Sequence, residues 1–346
     1  AYAATWFLAD TTGPADQGFF ETWKRWDSVH FIQAAEFGYT DPRTDPNITA
    51  FFPLFPLLMR GLASIGLPYV GAGMLVSTIS SIVAAAYLYR LAEEELGEWS
   101  GRTATLLLVL FPTAVFLVAP YSEALFLAGA IPAFYYARRK RWHLVALPAA
   151  VAMGSRAAGL FLMFGLLCEF LRQRDFSTAR IGEAAVAFLG GLVPLLMYGA
   201  YLAQIKGSAF YFFVDQREGW HRGFTHPITA FWTTWNTWYG DGYPTGFIFA
   251  WRMEVVAAAI GIGFVIWAAA KREWGYAAFM GALLGAMLTS FIYMSIPRIL
   301  LSFFPIPLLL AGAVRSRSWA RDVLLVVFAP LAALGVVVYT QGKWFY

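Results

Sequence analysis

Long runs of apolar residues separated by short polar loops dominate this sequence. The longer runs approach the roughly 20 residues that a helix needs to cross a bilayer, and they lack the alternation typical of membrane β-strands. We therefore predict an all-α polytopic membrane protein, a single integral membrane domain over residues 1–346 with about ten transmembrane helices. The predicted spans are residues 70–90, 103–118, 122–137, 143–154, 157–171, 183–205, 250–270, 276–294, 299–314 and 322–340.

The loops between these runs differ in charge, which predicts an orientation. With loop 90–102 on the inner side, strict alternation places fourteen Lys and Arg residues in inner loops and two, Arg156 and Arg298, in short outer loops. Inner loops are enriched in Lys and Arg, so this orientation is the expected one. Residues 10–66 then form a first outer loop, with 51–66 as a re-entrant or interfacial segment, and residues 206–249 form a second.

The overall composition excludes other classes of protein. Hydrophobic residues make up 59% of the chain and charged residues 13%, against about 45–50% and about 25% in soluble globular proteins. A soluble enzyme, a disordered chain and a coiled coil are thereby excluded. The net charge of +4 is spread over short loops, so we expect no nucleic-acid partner. The opening AYAATWFLAD resembles the end of an apolar segment, so we expect a first membrane helix upstream.

Polar residues that are unusual in a membrane protein collect at the predicted outer ends of the spans. Charged groups are unfavourable in a membrane and often mark functional sites. Because these residues are far apart in sequence and share one face, we predict that they form a single site. They are Arg25, Trp26, Asp27 and His30, then Glu123 and Arg156, then Asp215, Gln216, Arg217, Trp220, His221 and Arg222, and finally Arg298.

Asp27 is the candidate catalytic residue. Helical spacing places Trp23, Asp27 and His30 on one face of a helix within residues 19–38. Aromatic neighbours raise the pKa of a carboxyl group by desolvation while Arg25 and His30 lower it, and this balance suits a general base. An interfacial helix with an aromatic belt is the simpler interpretation, and a metal site of Asp27 and His30 is a weaker alternative.

Glu123 and the two outer arginines each have two interpretations. Glu123 follows Pro120 at the start of a span, where it either caps the helix or belongs to the site. Arg156 and Arg298 either extend to anionic headgroups or bind a phosphate group. The aromatic residues of loop 206–249 either pack on sugar rings or hold an amphipathic helix on the bilayer. They include Tyr211, Trp220, Trp232, Trp235, Trp238, Tyr239 and Tyr243.

Several motifs resemble the PIG-V-type mannosyltransferases, a family of the GT-C class of membrane glycosyltransferases. The resemblance extends over about residues 23–310, and the first two motifs are the most specific. The family's usual Arg-Ser-Asn-Gly is replaced by Arg156-Ala157-Ala158-Gly159, so the two middle positions lack a polar side chain. The matching segments are RWDSVHF (25–31), AAEFGY (34–39), AFFPLFPL (50–57), FPT (111–113), PYSEALF (120–126), SRAAG (155–159) and PRILLSFFP (297–305).

The resemblance implies inverting transfer of a sugar, with mannose favoured, from a polyprenyl- or dolichyl-phosphate donor on the outer membrane face. It also implies that a carboxylate of the first outer loop is the base, and Asp27 matches that position. The candidates for binding the donor phosphate are Arg156, His221, Arg222 and Arg298, and those for binding substrate are Arg25, Trp26, His30, Glu123, Gln216 and Trp220. No P-loop or dinucleotide-binding motif is present, so we predict no cofactor and no metal.

Two other functions remain open at the level of sequence. A transporter or flippase for lipids or lipid-linked sugars predicts charges in the middle of spans and repeated halves. A non-catalytic lipid-binding subunit is the second alternative, because the catalytic assignment depends on one carboxylate. The expected partners are the polyprenyl-phosphate sugar, a lipid or glycan acceptor, and membrane lipids. The expected location is a bacterial plasma membrane with the site facing outward, or the luminal side of the endoplasmic reticulum in a eukaryote.

Overall fold

The computed structural model describes residues 18–236 and 245–343, which form a helical bundle without β-strands in these ranges. Residues 1–17 and 237–244, including the start of the first predicted outer loop and Trp238, Tyr239 and Tyr243, lie outside the described residues. The α-helices are α1 (Asp27–Phe37), α2 (Leu54–Ala63), α3 (Tyr69–Leu96), α4 (Ser100–Val109), α5 (Glu123–Arg138), α6 (Ala146–Ser155), α7 (Ala158–Gln173), α8 (Thr178–Lys206), α9 (Tyr211–Trp220), α10 (Pro227–Asn236), α11 (Thr245–Ala270), α12 (Trp274–Leu288), α13 (Ile296–Ser302), α14 (Pro305–Val314) and α15 (Ser318–Thr340).

Four helices in the described part of the chain are long and apolar enough to cross a membrane. They are α3, α8, the Ile248–Ala270 part of α11, and α15. The pair α13 and α14 makes a fifth if the two count as one bent span, and α2, α12 and the segment Trp142–Ser155 are shorter apolar helices. The predicted count of ten spans includes such shorter segments, and both the count and the orientation stay predictions.

Prolines explain where predicted spans are interrupted. The predicted span 103–118 contains α4, which ends at Val109, followed by a separate 3₁₀ turn at Ala114–Leu117. Pro112 lies between them, and proline and the residue before it both disfavour a continuous helix. The predicted span 299–314 is broken at Pro305, where α13 and α14 meet at 71°.

The predicted span 276–294 ends early for another reason, since it contains no proline and α12 stops at Leu288.

Small residues allow the central helices to approach closely. A Cβ atom on Gly129 of α5 would lie 2.5 Å from both the Pro148 carbonyl oxygen and the Ala152 nitrogen of α6. A Cβ atom on Gly165 of α7 would lie 2.7 Å from the carbonyl oxygen of Gly275 in α12. Such contacts are typical of helix pairs in membranes, where packing replaces much of the hydrophobic driving force. These two contacts bring α5 against α6 and α7 against α12.

A charged cluster surrounds the C-terminal end of α5. Arg138 lies 3.1 Å from Glu95, 3.4 Å from Glu169 and 2.6 Å from Glu273, each measured between nitrogen and oxygen. These carboxylates belong to α3, α7 and the residue before α12, so one guanidinium joins four parts of the bundle. In the sequence Arg138 counted only as one of the fourteen basic residues that predict the orientation, whereas in the structure it is paired inside the bundle.

Candidate active site

A cavity of about 100 Å³ lies where α1, α5, α7, α9 and α13 converge. Eleven residues were predicted from the sequence to be catalytic or to bind phosphate or substrate. The cavity brings together seven of them, although they come from distant parts of the chain. They are Asp27, Glu123, Arg156, Gln216, Trp220, Arg222 and Arg298. The lining also includes apolar side chains, among them Phe161, Phe212, Leu283, Met287 and Ile299. The cavity therefore combines charged and hydrophobic groups within one space.

A tight turn before α1 fixes the position of Asp27. Trp26 has a φ of +52°, a conformation that does not continue into an α-helix. The Ser28 hydroxyl stabilises the turn, because it accepts a hydrogen bond from the Arg25 N–H and donates one to the Arg25 carbonyl, both at 2.7 Å. Helix α1 begins at Asp27, while Trp23 lies in a separate 3₁₀ turn. The prediction that Trp23 shares a helical face with Asp27 is therefore wrong.

Asp27 is paired with Arg298 of α13. Its Oδ2 atom accepts a hydrogen bond of 2.7 Å from Nη1 of Arg298. Burial raises the pKa of Asp27, but the charge and hydrogen bond of Arg298, helped by His30 and Arg222, hold that pKa below its ordinary value. The carboxylate is thus ionised at neutral pH, as a general base must be. Arg25 was the arginine predicted to lower this pKa, but the structure has Arg298 beside the carboxylate instead.

Glu123 links two of the three arginines in the cavity. Its Oε1 atom lies 2.7 Å from Nη1 of Arg156 and 3.2 Å from Nε of Arg298. Glu123 is the first residue of α5, is almost fully buried, and directs its carboxylate at these guanidinium groups. Arg298 is also buried, so the alternative in which it extends to a lipid headgroup does not apply to it. The carboxylate orients both guanidinium groups from one position.

Arg222 supplies the third guanidinium, just beyond the end of α9. Its Nη1 atom donates to Oε1 of Gln216 at 3.2 Å, and its backbone N–H donates to the Gln216 carbonyl at 2.9 Å. Within the described ranges no carboxylate forms an ion pair with it. Desolvation and the charge of Arg298 lower the pKa of Arg222 to about 10, so the group remains protonated at neutral pH. This cation is available to an incoming anion.

Helix α9 is fastened to the segment before α2. Both the N–H and the hydroxyl of Thr49 donate to Oδ2 of Asp215, with the backbone bond at 3.1 Å. The side-chain amide of Gln216 donates to the Ala50 carbonyl at 3.2 Å. The Trp220 ring meets Phe51 edge to face, with centroids 5.1 Å apart. The two predicted outer loops therefore build one side of the cavity together.

Four nominated residues do not line the cavity. Arg25 points the other way and donates to the backbone of α15 at 3.4 Å. Trp26 is 40% exposed. His30 lies behind the wall, where its ring stacks on Phe51 at 5.0 Å, and it reaches Asp27 through charge alone. His221 is exposed at the end of α9 with a φ of +50°.

Two buried carboxylates support the site without lining the cavity. Glu254 of α11 accepts hydrogen bonds from the backbone at the start of α13, and Asp215 holds α9. Asp215 was among the polar residues predicted to form the site, although the sequence assigned it no separate role. Glu254 was not predicted, yet it had a usable signal, because it is a carboxylate within a predicted apolar span. Within residues 18–236 and 245–343, no group of three or more His, Cys, Asp or Glu side chains is placed to hold a metal ion.

Comparisons with known proteins agree on a family and on a fold. A family model described as mannosyltransferase (PIG-V) matches residues 11–215. Mouse GPI alpha-1,6-mannosyltransferase 2 is 34% identical over 170 residues, which cover 45% of this chain and 34% of the mouse protein. The human protein of the same name is 34% identical over 166 residues, 44% of this chain and 32% of its own length. The matched region thus spans about a third of these relatives.

A solved structure of ArnT from Cupriavidus metallidurans bound to undecaprenyl phosphate has a similar fold, with a TM-score of 0.58 and 15% identity. The similarity covers 97% of this chain and 63% of ArnT, and the apo structure gives a TM-score of 0.56. The predicted fold, an all-helical bundle of the GT-C type, is confirmed. Together with its apolar helices, these similarities identify an integral membrane protein. Because the family model covers more than half of the sequence, the chain belongs to the mannosyltransferase (PIG-V) family.

Proposed function

We propose that the protein is an inverting glycosyltransferase that moves a hexose, specifically mannose, from a polyprenyl-phosphate donor to a hydroxyl group of a lipid or glycan acceptor. The observation that carries this proposal is the ionised Asp27 carboxylate in a cavity with three guanidinium groups. The base and the anion-binding groups that such a transfer needs lie side by side. The family membership supports the same reaction class.

Asp27 is the proposed base. Among the described residues Arg298 bonds only its Oδ2 atom, which leaves Oδ1 to accept the proton of the acceptor hydroxyl. The hydroxyl oxygen then forms a bond to the anomeric carbon as the bond from that carbon to the donor phosphate breaks. Attack from the face opposite the phosphate inverts the anomeric centre. The proton ends on Asp27, and the electron pair of the broken bond ends on the phosphate.

The arginines are the proposed site for the donor phosphate. Arg156 and Arg298 are each paired with a carboxylate, whereas the bonds of Arg222 to other described residues go to neutral oxygens of Gln216. Three guanidinium groups face two carboxylates, so the cavity has an excess of positive charge. We assign the first contact with phosphate to Arg222, with Arg156 and Arg298 completing the site. Preorganised cations of this kind stabilise the charge that grows on a leaving phosphate.

The remaining lining residues fit a sugar with a lipid tail. We propose that Gln216 and the Glu123 carboxylate bind hydroxyl groups of the sugar, and that Trp220 packs against a face of the sugar ring. The apolar wall formed by Phe161, Leu283 and Met287 is suited to the first isoprene units. We place the reaction on the outer face of a bacterial plasma membrane, which the count of basic residues in the predicted loops supports.

The test measures transfer in lipid nanodiscs with radiolabelled polyprenyl-phosphate-mannose and candidate acceptor lipids. Asp27→Asn should lower turnover by about 10²–10⁴-fold while leaving donor binding intact, because only the proton acceptor is removed. Glu36→Gln is the matched control, since Glu36 is an exposed carboxylate on the same helix. Retained activity in Asp27→Asn would overturn the assignment of the base. Saturable donor binding in nanodiscs without transfer, together with movement of intact donor across the bilayer of sealed liposomes, would identify a flippase.

A further inference from the structure

Glu254 is a buried carboxylate on the apolar helix α11 and does not line the cavity. Its side chain is about 1% exposed. A carboxylate in such surroundings is unfavourable unless its oxygens have hydrogen-bond donors. Both oxygens have one, because Oε1 accepts the N–H of Ser295 and Oε2 accepts the N–H of Ile296, each at 2.7 Å.

The backbone at this point needs such a partner. Ser295 has a φ of +67°, in the left-handed region that few residues other than glycine adopt readily. The next residue, Ile296, begins α13, whose first N–H groups have no acceptor within the helix. A negative charge at a helix N-terminus is also favourable in its own right. Glu254 therefore fixes both the turn and the first N–H of a short helix.

Helix α13 has only seven residues, and Arg298 is the third of them. Arg298 bonds Asp27 at 2.7 Å and lies 3.2 Å from Glu123. A small rotation of so short a helix about its start would move the guanidinium away from both carboxylates. We propose that Glu254 is a positioning residue that holds α13 in the register at which Arg298 pairs with Asp27 and Glu123. This inference rests on the proposed function, since it assigns to Arg298 a role in the transfer reaction.

The two bonds require a carboxylate and not only a polar side chain. A glutamine at this position has one acceptor oxygen, and its amide group would bring two N–H donors toward a backbone N–H. One of the two contacts is then lost and replaced by an unfavourable one. Glu254→Asp keeps both acceptor oxygens on a shorter side chain and serves as the conservative variant.

The kinetic test compares Glu254→Gln, Glu254→Asp and Arg298→Gln with the wild type across pH. Glu254→Gln should lower kcat about tenfold or more with little change in the donor KM, and Glu254→Asp should recover part of this loss. In a plot of rate against pH, the rate falls on the acid side, here called the acid limb, as Asp27 becomes protonated. This acid limb should move to higher pH in Glu254→Gln, as in Arg298→Gln, because Asp27 loses the same partner in both. The charged and titratable groups around Asp27 are Arg298 from α13, His30 on α1, Arg222 after α9, Glu123 on α5, Tyr121 just before α5 and Tyr339 on α15.

The double variant Glu254→Gln/Arg298→Gln decides between positioning and a general loss of stability. If Glu254 acts through Arg298, adding its substitution to Arg298→Gln should not move the acid limb further, because effects that share one mechanism are not additive. An unchanged acid limb in Glu254→Gln, or a shift in the double variant equal to the sum of both, would overturn the proposal. Glu36→Gln serves again as the control.

Amide hydrogen exchange provides a readout that does not depend on catalysis. Glu254→Gln should speed exchange in peptides covering residues 295–302 and leave those covering α1 unchanged. If this occurs in a protein that shows no glycosyl transfer, the proposed function fails while the structural role of Glu254 stands. If the wild type shows transfer and exchange at 295–302 is unaffected by the substitution, the positioning role fails alone.

Discussion

Asp27 and Arg298 are 271 positions apart in sequence, and one hydrogen bond of 2.7 Å joins them. This pair sets the protonation state of the proposed base, because burial alone would raise the pKa of the carboxyl group. The cation offsets that effect and brings the pKa below its ordinary value. The same guanidinium contacts Glu123, so a change at Arg298 affects both carboxylates of the cavity.

The pH dependence of transfer follows from this pair. Because the pKa of Asp27 is lowered, the wild-type acid limb that Asp27 controls should appear only below about pH 4. Arg298→Gln removes the charge and leaves the burial, so the limb should move upward by about 1–3 pH units. The pH profile of kcat/KM in nanodiscs measures this shift. Arg298→Lys, which keeps a positive charge, should give a smaller shift. An identical profile in wild type and Arg298→Gln would show that Asp27 is not the titrating group.

Single residues were predicted unevenly from the sequence. Asp27, Glu123 and Arg298 were predicted because charged groups are unfavourable in a membrane and often mark functional sites. The fold brings all three into one cavity. Arg25 was nominated by its closeness to Asp27 in sequence, but the turn at Trp26 directs its side chain toward α15. Side-chain direction in such a turn depends on φ and ψ angles that a residue pattern does not specify.

Among the secondary-structure elements, α9 is held to the segment before α2 by a buried contact between Asp215 and Thr49. Both polar hydrogens of Thr49 bond to Asp215, and no other carboxylate side chain bonds to them in the described chain. Asp215→Ala would leave these buried donors without an acceptor, which should destabilise the docked helix by about 1–3 kcal/mol. We expect faster hydrogen exchange across residues 211–222 and a higher donor KM, because Gln216, Trp220 and Arg222 move with α9. Glu218→Gln, at an exposed position of the same helix, should leave both unchanged.

The close contact between α5 and α6 makes a prediction about stability. In Gly129→Ala the added Cβ atom would meet backbone atoms of α6 at 2.5 Å. The two helices must separate, which should lower the free energy of unfolding by about 1–3 kcal/mol. Thermal unfolding in detergent measures this loss. Gly263→Ala is the control, since nothing lies within 4 Å of the added atom and alanine is the better helix former by about 0.5–1 kcal/mol. Equal melting temperatures for the two variants would contradict the contact.

Elements were predicted well where apolar runs are uninterrupted and less well near prolines. The long helices α3, α8 and α15 each contain a predicted span. The bend between α13 and α14 was not predicted, because apolar residues continue through Phe303 and Phe304 and only Pro305 marks the break. The hydropathy of a segment indicates that its side chains are buried, but it does not indicate whether the backbone continues straight or bends.

At the scale of the whole molecule, α5 connects two charged clusters. Glu123 at its first residue belongs to the cavity, and Arg138 at its last belongs to the cluster with Glu95, Glu169 and Glu273. A rise of about 1.5 Å per residue puts them roughly 22 Å apart along the helix. The fold class followed from composition and apolar runs, whereas these pairings required the three-dimensional arrangement of five or more helices.

Arg138 should therefore be essential to the bundle. Arg138→Met removes the cation that three carboxylates share and, among the described residues, leaves only Glu169 with an arginine partner, Arg172 at 2.6 Å. The loss should destabilise the fold by about 3–5 kcal/mol. Arg139→Met, at the adjacent position, removes a partner of Glu94 at the surface and should have little effect. Denaturation in detergent measures the stability of both variants, and the yield of protein in membranes provides a second measure. Equal stability of the two variants would show that the Arg138 cluster does not hold the helices together.

The backbone carbonyl of Trp23 accepts a hydrogen bond of 2.9 Å from the Tyr339 hydroxyl of α15, across 316 positions of the chain. A ribosome adds about 5–20 residues per second, so roughly 15–60 s separate the synthesis of these two residues. The turn before Asp27 is thus among the first parts of the described chain to be translated, and one of its supports is among the last. During that interval a nascent chain has its proposed base but not the helix that secures it. Completion of the candidate active site is in this sense a late event of biosynthesis, because α15 must first enter the bundle.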